Sequence, residues 1–250
     1  MFDLSKKTAV ITGSSQGIGY DIAALFAKQG VNVTINSRHF DKALVAANKI
    51  NELGGGKAIA VSCDVRKSDQ LINMFEETKK AFGQIDILIN NAGVLHSTAV
   101  EDITEEEWQF QIDINLTGTF LACQKAYPYL KESKAGRIIN IASVAGRMGS
   151  YASGMGYVAS KGGARSLSMG LARQYGKDGI TVNCICPGVI ATSMVEQWSE
   201  ATLQSQLDRV YTGRLGTTYD IGALCIYLAS DESGYMTGAT LDINGGMFMG

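Results

Sequence analysis

The chain has 250 residues, 46% of them apolar, with 2 prolines, 29 glycines and a formal charge of -2. So much apolar material supports one large folded domain and excludes a disordered chain. The balance of 22 basic against 24 acidic residues, with no basic tract, argues against nucleic acid or an anionic membrane as partner. No 18-residue apolar run and no signal-peptide core occurs. The five cysteines (Cys63, Cys123, Cys184, Cys186, Cys225) are an odd, scattered set, which suits free thiols in a cytoplasmic protein better than a disulfide framework.

The first apolar run, residues 9–11, meets Thr12-Gly13-Ser14-Ser15-Gln16-Gly17-Ile18-Gly19, and a helical pattern with Ile22, Leu25 and Phe26 follows to Gly30. Strand, glycine-rich turn and helix is the order needed to hold a phosphate. Gly13 permits the turn, backbone at Gly17 and Gly19 can approach a ligand, and the unpaired amides opening the helix face the anion. The spacing Gly-x3-Gly-x-Gly departs from the common dinucleotide fingerprint, and alone it also fits a surface turn.

Residues 31–36 read as a second strand ending at Ser37-Arg38-His39, and 40–53 as a helix stopped by glycines. Residues 58–61 form a third strand ending at Cys63-Asp64-Val65. A helix over 68–82, capped by Ser68, breaks at Gly83, and the strand 85–90 precedes Asn91-Ala92-Gly93. Strands so continuously apolar belong to a parallel sheet covered on both faces. Thr104 and three glutamates open a long helix reaching residue 131, with Trp108, Ile112, Leu116, Phe120 and Cys123 at three- and four-residue steps.

Strand 138–141 leads into a small, flexible Gly/Ser-rich loop, 143–156. Helix 157–175 carries Ala159, Ser160, Gly162, Gly163 and Ala164, which close helix approach would explain although the glycines weaken the helix itself. Strand 181–185 ends at Cys186-Pro187-Gly188. Residues 189–213 read as a partly helical loop or lid, 220–228 as a helix and 239–243 as a seventh strand. The sum is one doubly wound α/β domain over residues 1–250.

Ligands of such a sheet gather at the carboxyl ends of its strands. Near one of them Tyr157 and Lys161 lie four apart, on one face of a helix. A phenol titrates near about 10. A neighbouring ammonium favours the phenolate and lowers that value, which makes proton exchange with an alcohol or carbonyl feasible. The same spacing also suits a structural stack. Ser143, 14 residues before Tyr157, can donate to a developing alkoxide. Neither His39 nor His96 is placed as a base beside it, so serine hydrolysis is not indicated. Cys184 and Cys186 share a strand face and read as buried filler, with no further ligand nearby for a metal.

These residues together resemble the short-chain dehydrogenase/reductase family in its classical form, across essentially the whole chain. The glycine motif over 12–19, Asn90-Asn91-Ala92-Gly93, the four residues Asn115, Ser143, Tyr157 and Lys161, and Pro187-Gly188 with Thr192 all match in order. The Ser-to-Tyr interval has one extra residue. The resemblance implies a seven-stranded Rossmann-type sheet with helices on both faces, and reversible hydride transfer between a nicotinamide and a carbonyl or alcohol. Ser143 would orient the oxygen and Tyr157 protonate it. Lys161 would hold the ribose hydroxyls and depress the Tyr157 pKa, and Asn115 would anchor a water. Cofactor contacts would come from Gly13, Ser15, Gln16, Gly17, Ile18 and Gly19, with Asp64 and Val65 at the adenine. Asn91, Ala92 and Gly93 would line the cleft, and Pro187, Gly188, Val189, Ile190 and Thr192 would lie along the nicotinamide.

At the end of the second strand an acid normally meets a free ribose, and a basic residue meets a 2'-phosphate. Ser37 stands where the acid would be, followed by Arg38, which favours NADP(H) over NAD(H). Asp41 is near enough to compete for Arg38, which could also merely face solvent. Leu95, His96, Met148, Tyr151, Met155, Met194 and Trp198 suggest an apolar substrate pocket.

The leading expectation is an NADP(H)-dependent carbonyl reductase or alcohol dehydrogenase acting on a small ketone, hydroxy acid, sugar or polyol. A 3-oxoacyl thioester (acyl-carrier-protein) reductase is its nearest variant; it calls for basic surface at the mouth, where Arg147 stands alone. An NAD-dependent sugar or polyol dehydrogenase is another variant. A catalytically silent dinucleotide-binding sensor or scaffold is the contrasting class. The long helices resemble the family's subunit contact, implying a homotetramer or homodimer, with the tail 245–250 at another contact or over a neighbour's pocket.

Overall fold

In the computed structural model, which describes residues 2–150, 153–192 and 199–250, the apolar runs become strands of one parallel sheet. They are β1 (Thr8–Ile11), β2 (Asn32–Ser37), β3 (Ala58–Ser62), β4 (Ile87–Asn90), β5 (Arg137–Ile141), β6 (Thr181–Pro187) and β7 (Thr240–Ile243). Their spatial order is β3-β2-β1-β4-β5-β6-β7. Val10 of β1 lies opposite Thr34 on one side and Leu88 on the other. The winding therefore reverses between β1 and β4, and a crevice opens there beyond the strand ends.

The helices are α1 (Gly17–Lys28), α2 (Phe40–Glu52), α3 (Ser68–Phe82), α4 (Glu105–Ile112), α5 (Gly118–Glu132), α6 (Ala145–Met148), α7 (Met155–Tyr175), α8 (Glu200–Leu207) and α9 (Thr218–Ala229). Alternation along the strands divides the core between them. Ala9 and Ile11 pack with Ile22, Phe26, Ile50 and Leu228 of α1, α2 and α9. Val10 and Leu88 pack with Leu71, Phe75, Cys123 and Leu171 of α3, α5 and α7.

Three local expectations are corrected. Ser68 is the first helical residue of α3 rather than its cap; Lys67 is the N-cap, with no side-chain bond. The long helix is unbroken but not uniformly α: Asp113–Thr117 forms a π-helical turn between α4 and α5. Part of the loop over 143–156 is ordered, because α6 forms directly after Ser143 and α7 begins at Met155. The small residues of α7 do serve close approach. A Cβ on Gly146 would stand 2.6 Å from the Gly162 nitrogen, and one on Gly163 2.7 Å from Leu116.

Candidate active site

The glycine turn is clasped by polar side chains from three strand ends. Thr12 Oγ1 accepts from the Asn91 and Ala92 amides, each at 3.0 Å, while Asn91 Nδ2 donates to the carbonyls of Thr12 (3.1 Å) and Gly13 (3.0 Å). The Gly13 amide donates to Asn36 Oδ1 at 3.0 Å, and Asn36 Nδ2 donates onward to the Cys63 carbonyl, also at 3.0 Å. Gly13 has φ +62°, and a Cβ there would meet Ala92 Cα at 2.8 Å. Sequence reasoning missed Thr12 and Asn36 as site builders. Their signal is a polar residue at the end of an otherwise apolar strand.

The two later glycines do different things. Gly17 (φ +59°) has open space where a side chain would be, as ligand approach requires. Gly19 is packed instead, since a Cβ would stand 2.5 Å from Asn91 Nδ2 and 2.7 Å from the Gly13 carbonyl. Its expected role in ligand approach is thus corrected to closing the turn onto Asn91. α1 starts at Gly17 with no side chain bonded across its N-cap, Gln16.

A cleft of about 380 Å³ runs past this turn. Ser15, Gln16, Gly17 and Ile18 line it, with Ser37, Arg38, Asp64, Val65, Asn91, Ala92, Gly93 and Thr192. Asn36, Cys63, Val94 and Ile114 also line it. Arg38 is exposed at the rim and forms no ion pair among the described residues, so Asp41 does not compete for it. The Asp64 carboxylate is gripped by the Arg66 guanidinium, with Nε at 3.0 and 3.1 Å, and this holds its pKa below the ordinary carboxylate value.

Val189 and Ile190 lie off the cleft lining. Val189 accepts a backbone bond from Gly216 at 3.0 Å, and Ile190 is buried against Gly216, so both are spent on packing there. Pro187 ends β6, and Gly188 packs on Asn244, where a Cβ would meet Cα at 2.8 Å.

Ser143 leaves β5 and turns at once into α6, its Oγ accepting from the Ala145 amide at 3.1 Å. Tyr157, in the first turn of α7, has the Ser143 hydroxyl as the neighbour that favours its phenolate. Lys161, one turn further, is buried, with Nζ 5.7 Å from the Tyr157 ring centroid. That Nζ donates to the Ile141 carbonyl at 2.8 Å, and burial lowers its pKa to about 8.

Burial also raises the Tyr157 pKa, and the Ser143 hydroxyl opposes that rise. The expected depression of Tyr157 by Lys161 is therefore corrected. Its ammonium is spent on Ile141 and sits over the ring, and the opposing pull on the phenol comes from Ser143.

Asn115 lies in the π turn. Its Oδ1 accepts from the Val94 amide at 2.8 Å, and its Nδ2 donates to the Val94 carbonyl (2.9 Å) and Ser160 Oγ (3.1 Å). A Cβ on Gly93 would come within 3.2 Å of Asn115 Oδ1 and 3.5 Å of Lys161 Nζ. All four residues matched to the family's catalytic set thus converge beside the cleft.

On the outer side, His96 Nδ1 lies 3.6 Å from Glu107 Oε1, and the His96 amide donates to Gln111 Oε1 at 3.1 Å. The His96 carbonyl accepts from the Gly154 amide at 2.8 Å, three residues before Tyr157. Leu95 is half-buried, while Met148 and Met155 are exposed. Tyr151, Met194 and Trp198 lie outside the described residues. Arg147 is not a surface cation, with 12% of its side chain exposed. The tail packs on this chain's own Arg147 and Tyr211. A larger hollow of about 570 Å³ opens at the outer edge of β3, between Phe40, Ile59, Asn73 and Glu77, away from every motif. Among the described residues no group of three His, Cys, Asp or Glu could hold a metal, and no helix is long and apolar enough to cross a membrane.

The family model for enoyl-(acyl carrier protein) reductase matches residues 13–248. A 3-oxoacyl-(acyl-carrier-protein) reductase, FabG, of Staphylococcus epidermidis is 37% identical over 244 residues, covering 97% of this chain and 99% of the relative. The hydroxy(phenyl)methylsuccinyl-CoA dehydrogenase subunit BbsD of Thauera aromatica is 37% identical over 246 residues, 97% of each chain. A short-chain type dehydrogenase/reductase from Mycobacterium marinum superposes with a TM-score of 0.92 at 35% identity, covering 100% of this chain and 98% of that one.

Proposed function

The chain belongs to the short-chain dehydrogenase/reductase family and is an NAD(P)-dependent oxidoreductase, and from that premise we propose that it reduces the 3-oxo group of an acyl thioester with NADPH. The observation that carries this reading is the 37% identity to a 3-oxoacyl-(acyl-carrier-protein) reductase over 97% of the chain. It favours the thioester variant over a carbonyl reductase or alcohol dehydrogenase of small ketones, sugars or polyols. The second relative's name also places an acyl group on a carrier, in that case coenzyme A.

The cleft suits a dinucleotide. The free amides at the start of α1 and the open space at Gly17 fit a pyrophosphate. The unpaired Arg38 fits a 2'-phosphate fork, which supports NADP(H) over NAD(H). Asp64 and Val65 would flank the adenine, and Asn91, Ala92 and Gly93 the cleft floor, with Pro187, Gly188 and Thr192 toward the nicotinamide. When bound, the nicotinamide supplies the hydride.

The chain's own groups handle the oxygen. Ser143 Oγ donates to the carbonyl oxygen and Tyr157 Oη delivers a proton to it. Ser143, the group that pulls the phenol's pKa down, then steadies the phenolate that Tyr157 becomes, and the buried Lys161 ammonium would hold the ribose hydroxyls of the dinucleotide. Asn115 has both amide hydrogens committed to Val94 and Ser160, so its side chain sets Gly93 against Lys161. Half-exposed Trp108, Phe120 and Met169 on α4, α5 and α7 support self-association as a homodimer or homotetramer.

NADPH absorbance followed with acetoacetyl groups on coenzyme A and on acyl carrier protein tests the reading. Turnover of at least one thioester is expected, and Tyr157→Phe should cut it by about 10²–10⁴-fold while NADPH binding persists. Turnover of sugars or polyols with NAD and of neither thioester would overturn it. So would stoichiometric cofactor binding without any turnover, the mark of a sensor or scaffold.

A further inference from the structure

Arg147 sits on the four-residue helix α6, directly beyond Ser143. It meets the end of the chain in three ways. Its Nη2 forms an ion pair with Asp242 of β7 at 3.0 Å and donates to the Gly250 carbonyl at 2.9 Å, and its Cζ lies 4.5 Å from the Phe248 ring centroid. Nε is buried without a hydrogen-bond acceptor, which leaves the aromatic face as its electron-rich neighbour. A buried guanidinium is expensive to desolvate, and its planar fork can serve a carboxylate, a carbonyl and a ring together where an ammonium cannot.

The segment it grips is itself folded. Asn244 Oδ1 accepts from the Gly246 amide at 2.9 Å, and Asn244 Nδ2 donates to the Phe248 carbonyl at 3.2 Å. At its far side the Gly245 carbonyl accepts from the Thr212 amide at 3.2 Å, and Gly246 lies against the Tyr211 side chain. The segment therefore spans from α6 to residues 211–212.

On its near side Arg147 belongs to the turn that presents Ser143. The Arg147 amide donates to the Val144 carbonyl at 2.9 Å, the Gly146 amide to the Ser143 carbonyl at 3.0 Å, and the Val144 amide to the Pro187 carbonyl at 2.8 Å. Movement of the guanidinium is thus transmitted to Ser143 through a short, fully bonded turn.

We propose that Arg147 is a positioning residue, fastening the C-terminal segment as a strap between the Ser143 turn and residues 211–212 and so holding Ser143 Oγ on Tyr157. The proposal rests on the acid–base roles given above to Ser143 and Tyr157. Neither of those roles requires the strap.

The test compares Arg147→Ala, Arg147→Lys, Phe248→Ala and a chain ended after Met247, with acetoacetyl-CoA and NADPH. Arg147→Ala and the shortened chain should each lower kcat at least tenfold with NADPH Kd within twofold. Combining them should do no further harm, because both release one strap. Lysine should rescue little. Their kcat–pH profiles should shift to higher pH, as the phenol loses the nearby Ser143 hydroxyl that lowers its pKa. Should Arg147→Ala fail to fold, Phe248→Ala and the shortened chain carry the comparison. Amide exchange over residues 143–148, which needs no turnover, should quicken in the shortened chain. Unchanged exchange there, kcat within twofold of the parent, additive losses or an unmoved pH profile would each overturn the proposal. An active Tyr157→Phe enzyme would instead overturn the reading of the site on which it rests.

Discussion

Around the glycine turn the cofactor wall is held by strand ends: Thr12, Asn36 and Asn91 tie β1, β2 and β4 together, and Gly19 is pressed against Asn91. The facing wall, from Ser143 through Gly188 to residue 212, is held by α6, Arg147 and a folded terminal segment. One wall is an extension of the sheet, and the other is a set of loops fastened from outside. A site that must grip one constant ligand and accept another can divide labour in this way, since preorganised backbone suits the first and adjustable loops suit the second.

Lys161 lies in the seam between the walls and gives the largest expected effect. Burial brings its pKa to about 8 from 10.5. Between those values the unfolded chain still holds a proton that the folded chain has released, so stability rises with pH across this window. Relative to Lys161→Met, the parent should gain up to about 3 kcal/mol over it, read from denaturant midpoints. Parallel curves would mean that water reaches the seam and that the walls are less distinct than described.

Next comes the packed turn. Gly19→Ala should cost about 2 kcal/mol of stability and most NADPH affinity, because its neighbours are backbone and a clasped amide. Gly17→Ala has no neighbour to strike and should cost about 1 kcal/mol through its positive φ alone. Equal losses would show that strain rather than packing governs the cofactor wall. At the rim, away from the packed turn, Arg38→Ala should weaken NADPH about tenfold, or about 1.4 kcal/mol, and leave NADH unchanged. Fluorescence titration with both cofactors checks this, and equal weakening of the two would remove the 2'-phosphate contact.

The same division explains what was legible in the sequence. Strand runs, the glycine turn, Arg38, and Tyr157 with Lys161 are local patterns, and the sheet placed them together. Gly19 and Asn36 were misread or missed because their reasons lie on another strand, at Asn91 and Cys63. The π turn left a trace that went unread. Buried Gln111, Asn115, Thr119, Ala122, Ala126 and Leu130 follow one stripe. Five regular turns would take about 18 residues, and this stripe takes 19 (130 - 111), one more than a straight α-helix allows. Arg147 resembled a surface charge because its partners, Asp242, Phe248 and Gly250, come about a hundred residues later.

The span of the clasp also orders the birth of the molecule. Thr12 and Asn91 are 79 residues apart, and Arg147 and Gly250 are 103 apart. On a ribosome the glycine turn emerges early, and β1, β2 and β3 can pair as sequence neighbours, yet the cradle closes only when β4 inserts beside β1. The strap closes later still. The phosphate cradle and the alignment for chemistry are thus completed at separate moments of synthesis. A dinucleotide captured at the first moment would act as a mould, holding the half-made sheet by mass action while the catalytic half is still being translated.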